Sequence, residues 1–144
     1  MIGIIERIKV YSAKGEKGRF LSGARLIENL GLEGDYNAKG GERQISLLLM
    51  EIYGLLAAQE ETGLCFSRFK ENISIRGIAP EALKPGVRLE AGETELEISG
   101  ETKSCHEECA LYKAGETCPL AGLSLFAKVV KSGVIHVGDG VELR

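Results

Sequence analysis

The 144 residues are 44% hydrophobic and 27% charged, a composition that supports one folded domain over residues 1–144 and excludes wholesale disorder. Lysine and arginine number 18 against 21 aspartates and glutamates, a formal charge of −3. That balance argues against a sequence-independent nucleic-acid binder, which carries a basic excess to neutralise phosphates.

Residues 2–12 alternate well enough to predict an opening strand, with Ile2, Ile4, Ile5, Ile8 and Val10 interrupted by Glu6, Arg7 and Lys9. The interruption also excludes a signal-peptide core or membrane span at this point. No later apolar run is long enough to cross a bilayer, so a cytoplasmic protein without membrane association is expected. A polar run at 13–18 ends the strand, and a second short strand is predicted at 24–29. Residues 31–41, with Gly31, Gly34, Gly40 and Gly41 beside Asp35 and Asn37, read as a long turn or loop.

A strand starts at 44–47 and gives way to the best predicted helix, 48–62. There Leu48, Ile52, Leu55, Leu56 and Gln59 fall along one face, and Gly63 is placed as a stop. Gly54 weakens that helix by about 1 kcal/mol relative to alanine. A short strand follows at 72–76. Residues 87–90 and 94–99 flank Ala91-Gly92-Glu93 as a hairpin, and 125–131 and 134–137 flank Ser132-Gly133 as another. A last strand is expected at 141–143. The whole predicts a mainly β fold with one or two helices, arranged as a barrel.

The chemistry concentrates in Lys103-Ser104-Cys105-His106-Glu107-Glu108-Cys109 and in Cys118, which follow directly on a predicted strand. In a reducing compartment, clustered cysteines point to catalysis or metal before disulfides. The thiolate is the reactive form; Lys103 favours it, while Glu107 and Glu108 oppose it. One reading is a single reactive or soft-metal-binding cysteine. Another is a zinc site on Cys105, Cys109, Cys118 and His106, although the spacing gives no second close pair. The plain alternative is small buried hydrophobes, the preferred reading for Cys65 between Leu64 and Phe66. His136, between Ile135 and Val137, reads as structural.

Two further stretches carry candidates. The glycine loop, followed by Arg43-Gln44, offers backbone N–H groups and the Arg43 guanidinium to an anion. Lys70 and Asn72 fall on one side of a strand start, suited to phosphate neutralisation and a directed hydrogen bond. Taken singly, each is more often a solvated surface residue.

In order along the chain, Gly31-Leu32-Glu33-Gly34-Asp35, Arg43-Gln44-Ile45-Ser46-Leu47-Leu48, Glu71-Asn72-Ile73, Lys103-Ser104-Cys105 and Val137-Gly138-Asp139 resemble the MOSC domain, named for the C-terminal part of molybdenum cofactor sulfurases. The resemblance, to a small stand-alone prokaryotic member, implies a closed β-barrel like that of the pyruvate kinase β-barrel domain. It also implies a cysteine that carries sulfur as a persulfide or ligates molybdenum in a molybdopterin-type cofactor. Arg43, Gln44, Lys70, Asn72 and Lys103 become the expected cofactor contacts. The expected thiol is Cys105, also the metal ligand, with Cys109 as a second sulfur-handling group. Counting from the strand end at Ser99 favours Cys105, whereas Cys109-Ala110-Leu111-Tyr112 resembles reductase-type members and favours Cys109. The family often has a histidine after Gly34-Asp35, where this chain has Tyr36-Asn37.

The expected partner is a cysteine desulfurase, whose pyridoxal phosphate would reside on that protein, or a molybdoenzyme. Two alternatives stand beside this one. The first is a molybdenum-dependent reductase of N-hydroxylated compounds. The second is a zinc-stabilised, non-catalytic binding module.

Overall fold

Ile5 and Ile8 are both fully buried although three positions separate them. A strand sends alternate residues to one face, so one extra residue has to be absorbed. It is absorbed by a bulge between Ile5 and Arg7, where the pairing register shifts. Beyond it, Ile8 and Val10 point inward again. Phase in the opening strand is thus restored by the bulge, and the apolar positions all serve one core.

The computed structural model describes residues 2–13, 17–36, 38–41, 44–50, 71–78, 82–99 and 124–144. Among these lie β1 (Ile2–Val10), β2 (Arg19–Leu21), β3 (Gly23–Ile27), β4 (Gly31–Leu32), β5 (Ile45–Leu49), β6 (Ile73–Arg76), β7 (Arg88–Ala91), β8 (Thr94–Ile98), β9 (Ser124–Lys131), β10 (Gly133–His136) and β11 (Gly140–Leu143). The order β11-β7-β8-β9-β5-β6-β1 closes on itself through a β1–β11 pairing, giving a barrel of seven strands. Closure removes both sheet edges within the ring. β2 continues the sheet outside the ring as a partner of β1, and β10-β3-β4 form a separate small sheet.

Within the ring only β5 and β6 run parallel. Inward residues from every ring strand meet in one cluster with Leu26, Leu32 and Ile135 of the small sheet. In β8 the inward Thr94, Leu96 and Ile98 are buried, and Glu95 and Glu97 between them are half-buried. β5 departs from this alternation: all five of its residues are buried. Ile45, Leu47 and Leu49 belong to the core cluster, while Ser46 and Leu48 are buried on the outer wall.

The hairpin predicted around Gly92 is present, with Ala91 opposite Thr94 across Gly92-Glu93. Gly92 has φ of 55°, a left-handed conformation that glycine adopts without a Cβ clash. The second predicted hairpin is not formed. β10 pairs with β3, Gly133 to His136 opposite Leu26 to Gly23, and not with β9. Gly133 passes so close to the first hairpin that a Cβ on it would lie 2.8 Å from the Glu93 carbonyl oxygen. The Ser132 hydroxyl accepts the Glu28 N–H at 2.7 Å. Together these carry the chain from the barrel to the small sheet.

The first residues of the predicted helix belong instead to a strand. Leu48 and Leu49 are strand residues, because β5 is hydrogen-bonded on one side to β9 and on the other to β6. Residues 51–63 of that prediction lie outside the described residues. Two strands escaped prediction: β2, and β4 at the head of the glycine loop. At Gly31, φ is 140° and a Cβ would meet the Gln44 carbonyl oxygen at 2.8 Å, so the motif glycine lets β4 lie against the start of β5.

Outside the barrel, Glu97 faces Arg88 and Lys128 on the flanking strands, with N···O distances of 3.3 Å to each. Hydrogen bonding to Lys128 comes first, then that to Arg88, and both hold the Glu97 carboxyl below the usual glutamate range; partial burial acts in the opposite sense. A depressed folded-state pKa adds stability above the unfolded value, and that stability is lost as pH falls through the folded value. Glu97→Gln is therefore expected to flatten the acid limb of the stability–pH profile, measured by urea unfolding. An unchanged acid limb would show that the cluster contributes nothing.

Candidate functional site

Asn72 sits one residue before β6, and every conventional hydrogen bond its polar hydrogens can donate is made. On the β5 side its N–H donates to the Ser46 carbonyl at 2.9 Å, and the Ser46 N–H donates to its Oδ1 at 3.0 Å. On the β1 side the Lys9 N–H donates to its carbonyl at 2.7 Å, and its Nδ2 donates to the Lys9 carbonyl at 3.2 Å. The second Nδ2 hydrogen reaches Asp35 Oδ1 at 3.1 Å. Asn72 is thus locked to both neighbouring strands by reciprocal pairs, and its side-chain amide adds a rung to the β-ladder on each side.

Asp35 extends the brace to the glycine loop. The same Oδ1 accepts the Tyr11 N–H at 2.8 Å, and the Tyr36 N–H donates to the Tyr11 carbonyl at 2.8 Å. The loop is therefore latched to the end of β1. Asp35 and Asn72 are both buried. Sequence reasoning gives Asp35 only a place in a turn; the signal for more was its position ending the Gly34-Asp35 motif.

Gln44 is a second brace. Its Oε1 accepts the Val129 N–H at 2.9 Å and its Nε2 donates to the Gly41 carbonyl at 2.9 Å, which ties the loop end to β9. Of the predicted cofactor contacts, then, Gln44 and Asn72 are described and are both turned to the protein's own backbone. Arg43, Lys70, Lys103, Cys105 and Cys109 lie outside the described residues, as do Cys65, His106 and Cys118.

Connectivity still locates their anchor points. The chain leaves β8 through Ser99, whose N–H donates to the Phe126 carbonyl at 2.9 Å. Phe126 is opposite Ser46, and Ser46 is bonded to Asn72. Ser99 and Asn72 therefore lie in one row, three strand spacings or about 14 Å apart. Cys105 is six positions beyond Ser99, at most roughly 20 Å of extended chain, and Lys70 and Arg43 are within two positions of Asn72 and Gln44. In this row and beside it, Ser46 Oγ and Ser74 Oγ are buried and make no hydrogen bond.

Other candidates are weaker. A hollow of about 300 Å³ is lined by Glu90, Gly92, Asp139, Gly140 and Glu142, none of them a predicted site residue. Among the described residues no group of three histidines, cysteines or carboxylates is arranged to hold a metal. His136 is exposed, and its N–H donates to Asp139 Oδ2 at 2.8 Å. No described helix is long and apolar enough to cross a membrane.

A seven-stranded barrel with a buried Asp–Asn brace behind a glycine loop is the setting in which the motif set falls, and residues 34–142 match the model of the MOSC domain. The chain belongs to the MOSC domain family, which is linked to proteins of molybdenum cofactor biology. Among solved structures, the YUAD protein from Bacillus subtilis superposes with a TM-score of 0.72 at 19% identity, over 99% of this chain and 96% of that one. YiiM from Escherichia coli gives a TM-score of 0.68 at 21% identity, over 100% and 70%. YiiM from Geobacillus stearothermophilus gives 0.70 at 17%, over 99% and 75%. At these identities the likeness is one of fold. No curated protein matches the chain significantly.

Asn72→Ala is expected to lower the unfolding free energy by about 1–3 kcal/mol, because it strands buried backbone groups as well as Asp35. A double-mutant cycle with Asp35→Ala, read by denaturant unfolding, should show a coupling of about 0.5–3 kcal/mol. Additive effects would mean that the two residues do not act as one brace.

Proposed function

We propose that this MOSC-domain protein carries sulfur for a molybdenum cofactor, or binds that cofactor, through the thiolate of Cys105. The observation that supports this most is the family match over residues 34–142 in a chain that places Lys103-Ser104-Cys105 a few residues beyond Ser99, the last residue of the braced row. A thiolate suits both roles, since it forms persulfides readily and is a soft metal ligand.

The braced residues fit the cofactor indirectly. Asn72 has no donor left for a ligand, so its part is to position Lys70, and Gln44 likewise fixes the start of β5 beside Arg43. Arg43, Lys70 and Lys103 are the residues that would hold the pterin phosphate, since a guanidinium binds phosphate bidentately and an ammonium neutralises its charge. When bound, the cofactor supplies a dithiolene-held metal; the chain supplies charge, orientation and the thiol.

For sulfur carriage the step balances without an outside oxidant. The Cys105 thiolate attacks the terminal sulfur of a persulfide on the donor, a cysteine desulfurase. The donor's S–S bond breaks, a new S–S bond forms on Cys105, and the donor cysteine leaves as a thiolate. Cys109 is the second sulfur-handling thiol, which can accept the same sulfur by the same exchange. The acceptor is a molybdoenzyme or its cofactor. The Cys109-Ala110-Leu111-Tyr112 segment favours one other reading, a molybdenum-dependent reductase centred on Cys109.

Incubation with a cysteine desulfurase and free cysteine should add one sulfur atom to the Cys105 peptide, read by mass spectrometry, and Cys105→Ser should abolish it. Sulfur on Cys109 alone would transfer the role to that residue. No added sulfur on either thiol, with cofactor binding unchanged in Cys105→Ser, would overturn both forms of the proposal.

A further inference from the structure

Among the described residues, two buried side-chain hydroxyls, Ser46 Oγ and Ser74 Oγ, make no hydrogen bond. Ser46 is 6% exposed and Ser74 0%. Both stand on the outer face of the barrel wall. Ile45 and Leu47 on β5, and Ile73 and Ile75 on β6, belong to the core cluster, so the serines between them point outward. Leu48 is opposite Ser74 in the parallel β5–β6 pair. Ser46 is therefore one strand and two residues from Ser74, about 8 Å across the sheet.

A buried hydroxyl without a partner weakens the fold, and such groups are kept where a ligand, ion or water supplies the missing bond. Elsewhere on this wall the polar side chains are matched: Glu97 with Arg88 and Lys128, and Asn72 with Asp35 and two backbone strands. The position of the unmatched pair points to a ligand. Phe126 is opposite Ser46 and Ser124 is opposite Leu48, and the Ser99 N–H donates to the Phe126 carbonyl. Both ends of the 99–124 connection, which carries Lys103, Cys105 and Cys109, are thus anchored level with Ser46 and Leu48. The connection that carries Lys70 leaves β5 and rejoins at Asn72, whose N–H donates to the Ser46 carbonyl. The two hydroxyls lie on the stretch of wall bounded by these ends.

We propose that the Ser46 and Ser74 hydroxyls are binding contacts for the pterin ring of the cofactor. The inference rests on the cofactor-binding form of the function proposed above and assigns the ring to residues which that reading leaves unused. A hydroxyl both donates and accepts, which suits a heterocycle whose edge alternates ring nitrogens and a carbonyl with amide and amino N–H groups. The buried residues of this face, Ser46, Leu48, Asn72 and Ser74, are all neutral. A phosphate buried against them would lack a counter-charge, whereas a neutral ring needs none. The phosphate is left to Arg43, Lys70 and Lys103, and Asn72 holds the two serine-bearing strands in register.

The test titrates the full chain with 6-hydroxymethylpterin monophosphate, read by polarisation of the pterin's own fluorescence, beside thermal unfolding of the ligand-free chain. Ser46→Ala and Ser74→Ala should each weaken binding by roughly three- to tenfold, the effect of one hydrogen bond. Without ligand, both variants should unfold at or above the wild-type temperature, because neither hydroxyl has a bond to lose. Inorganic phosphate, added as a competitor, should bind wild type and variants alike. Equal pterin binding by wild type and both variants would overturn the inference and leave the cofactor reading intact. A lower unfolding temperature in both variants would overturn it whatever the binding, since the hydroxyls would then be partners of structural water. A matching loss of phosphate affinity would overturn it too, by assigning the hydroxyls to the phosphate. Failure of wild type to bind the pterin would overturn the inference together with the cofactor-binding form of the proposed function. Sulfur carriage would stand or fall separately, on the mass of the Cys105 peptide.

Discussion

Three strands and a loop are held together at Asn72. Its main chain and side chain pair with Ser46 on β5 and with Lys9 on β1, and the remaining amide hydrogen goes to Asp35. All of these groups are buried or partly buried, where an unmatched donor or acceptor costs about 1–3 kcal/mol. A side chain that lacked either the amide's donors or its acceptor would leave at least one of them unmatched. The geometry of the glycine loop, the start of β6 and the end of β1 is therefore set by a single residue.

The same constraint explains why the polar motifs of the chain lie where they do. Gly31 lets β4 approach the start of β5, Gln44 ties the loop end to β9, and Asp35 latches the loop to β1. Arg43 and Lys70 are chain neighbours of these fixed points, and Cys105 departs from the same row at Ser99. The motifs divide by role: amide and carboxylate brace the wall, and the cations and thiol of the proposed function follow or precede them along the chain. Ser46 and Ser74, buried on the outer wall without hydrogen-bond partners, make this the least satisfied polar part of the described barrel.

Much of the barrel was legible in the sequence because its signals are local. Alternation marked β1, and the Ala91-Gly92-Glu93 turn between two apolar runs marked the β7–β8 hairpin. What failed depended on distant partners. Leu48 suits a helix or a strand by periodicity, and β9 and β6 on either side decide for strand. Ser132-Gly133 looks like a hairpin turn, yet the close approach of Glu93 and the Glu28 hydrogen bond send β10 to β3. The bracing bonds of Asn72 and Gln44 were likewise not legible, because residue type names a hydrogen-bonding group and not its partner. The partners of Asn72 stand 26, 37 and 63 positions away, beyond the reach of any local pattern.

The account rests on a thiol that is free to exchange sulfur or take a soft metal, not one closed into a structural site. Zinc content of the full chain, purified without chelators and measured per protein molecule by elemental mass spectrometry, tests this most directly. The account predicts zinc far below one atom per chain. One zinc per chain, lost together with the fold on substitution of Cys105, Cys109 or Cys118, would contradict it and identify the cysteines as a structural metal site.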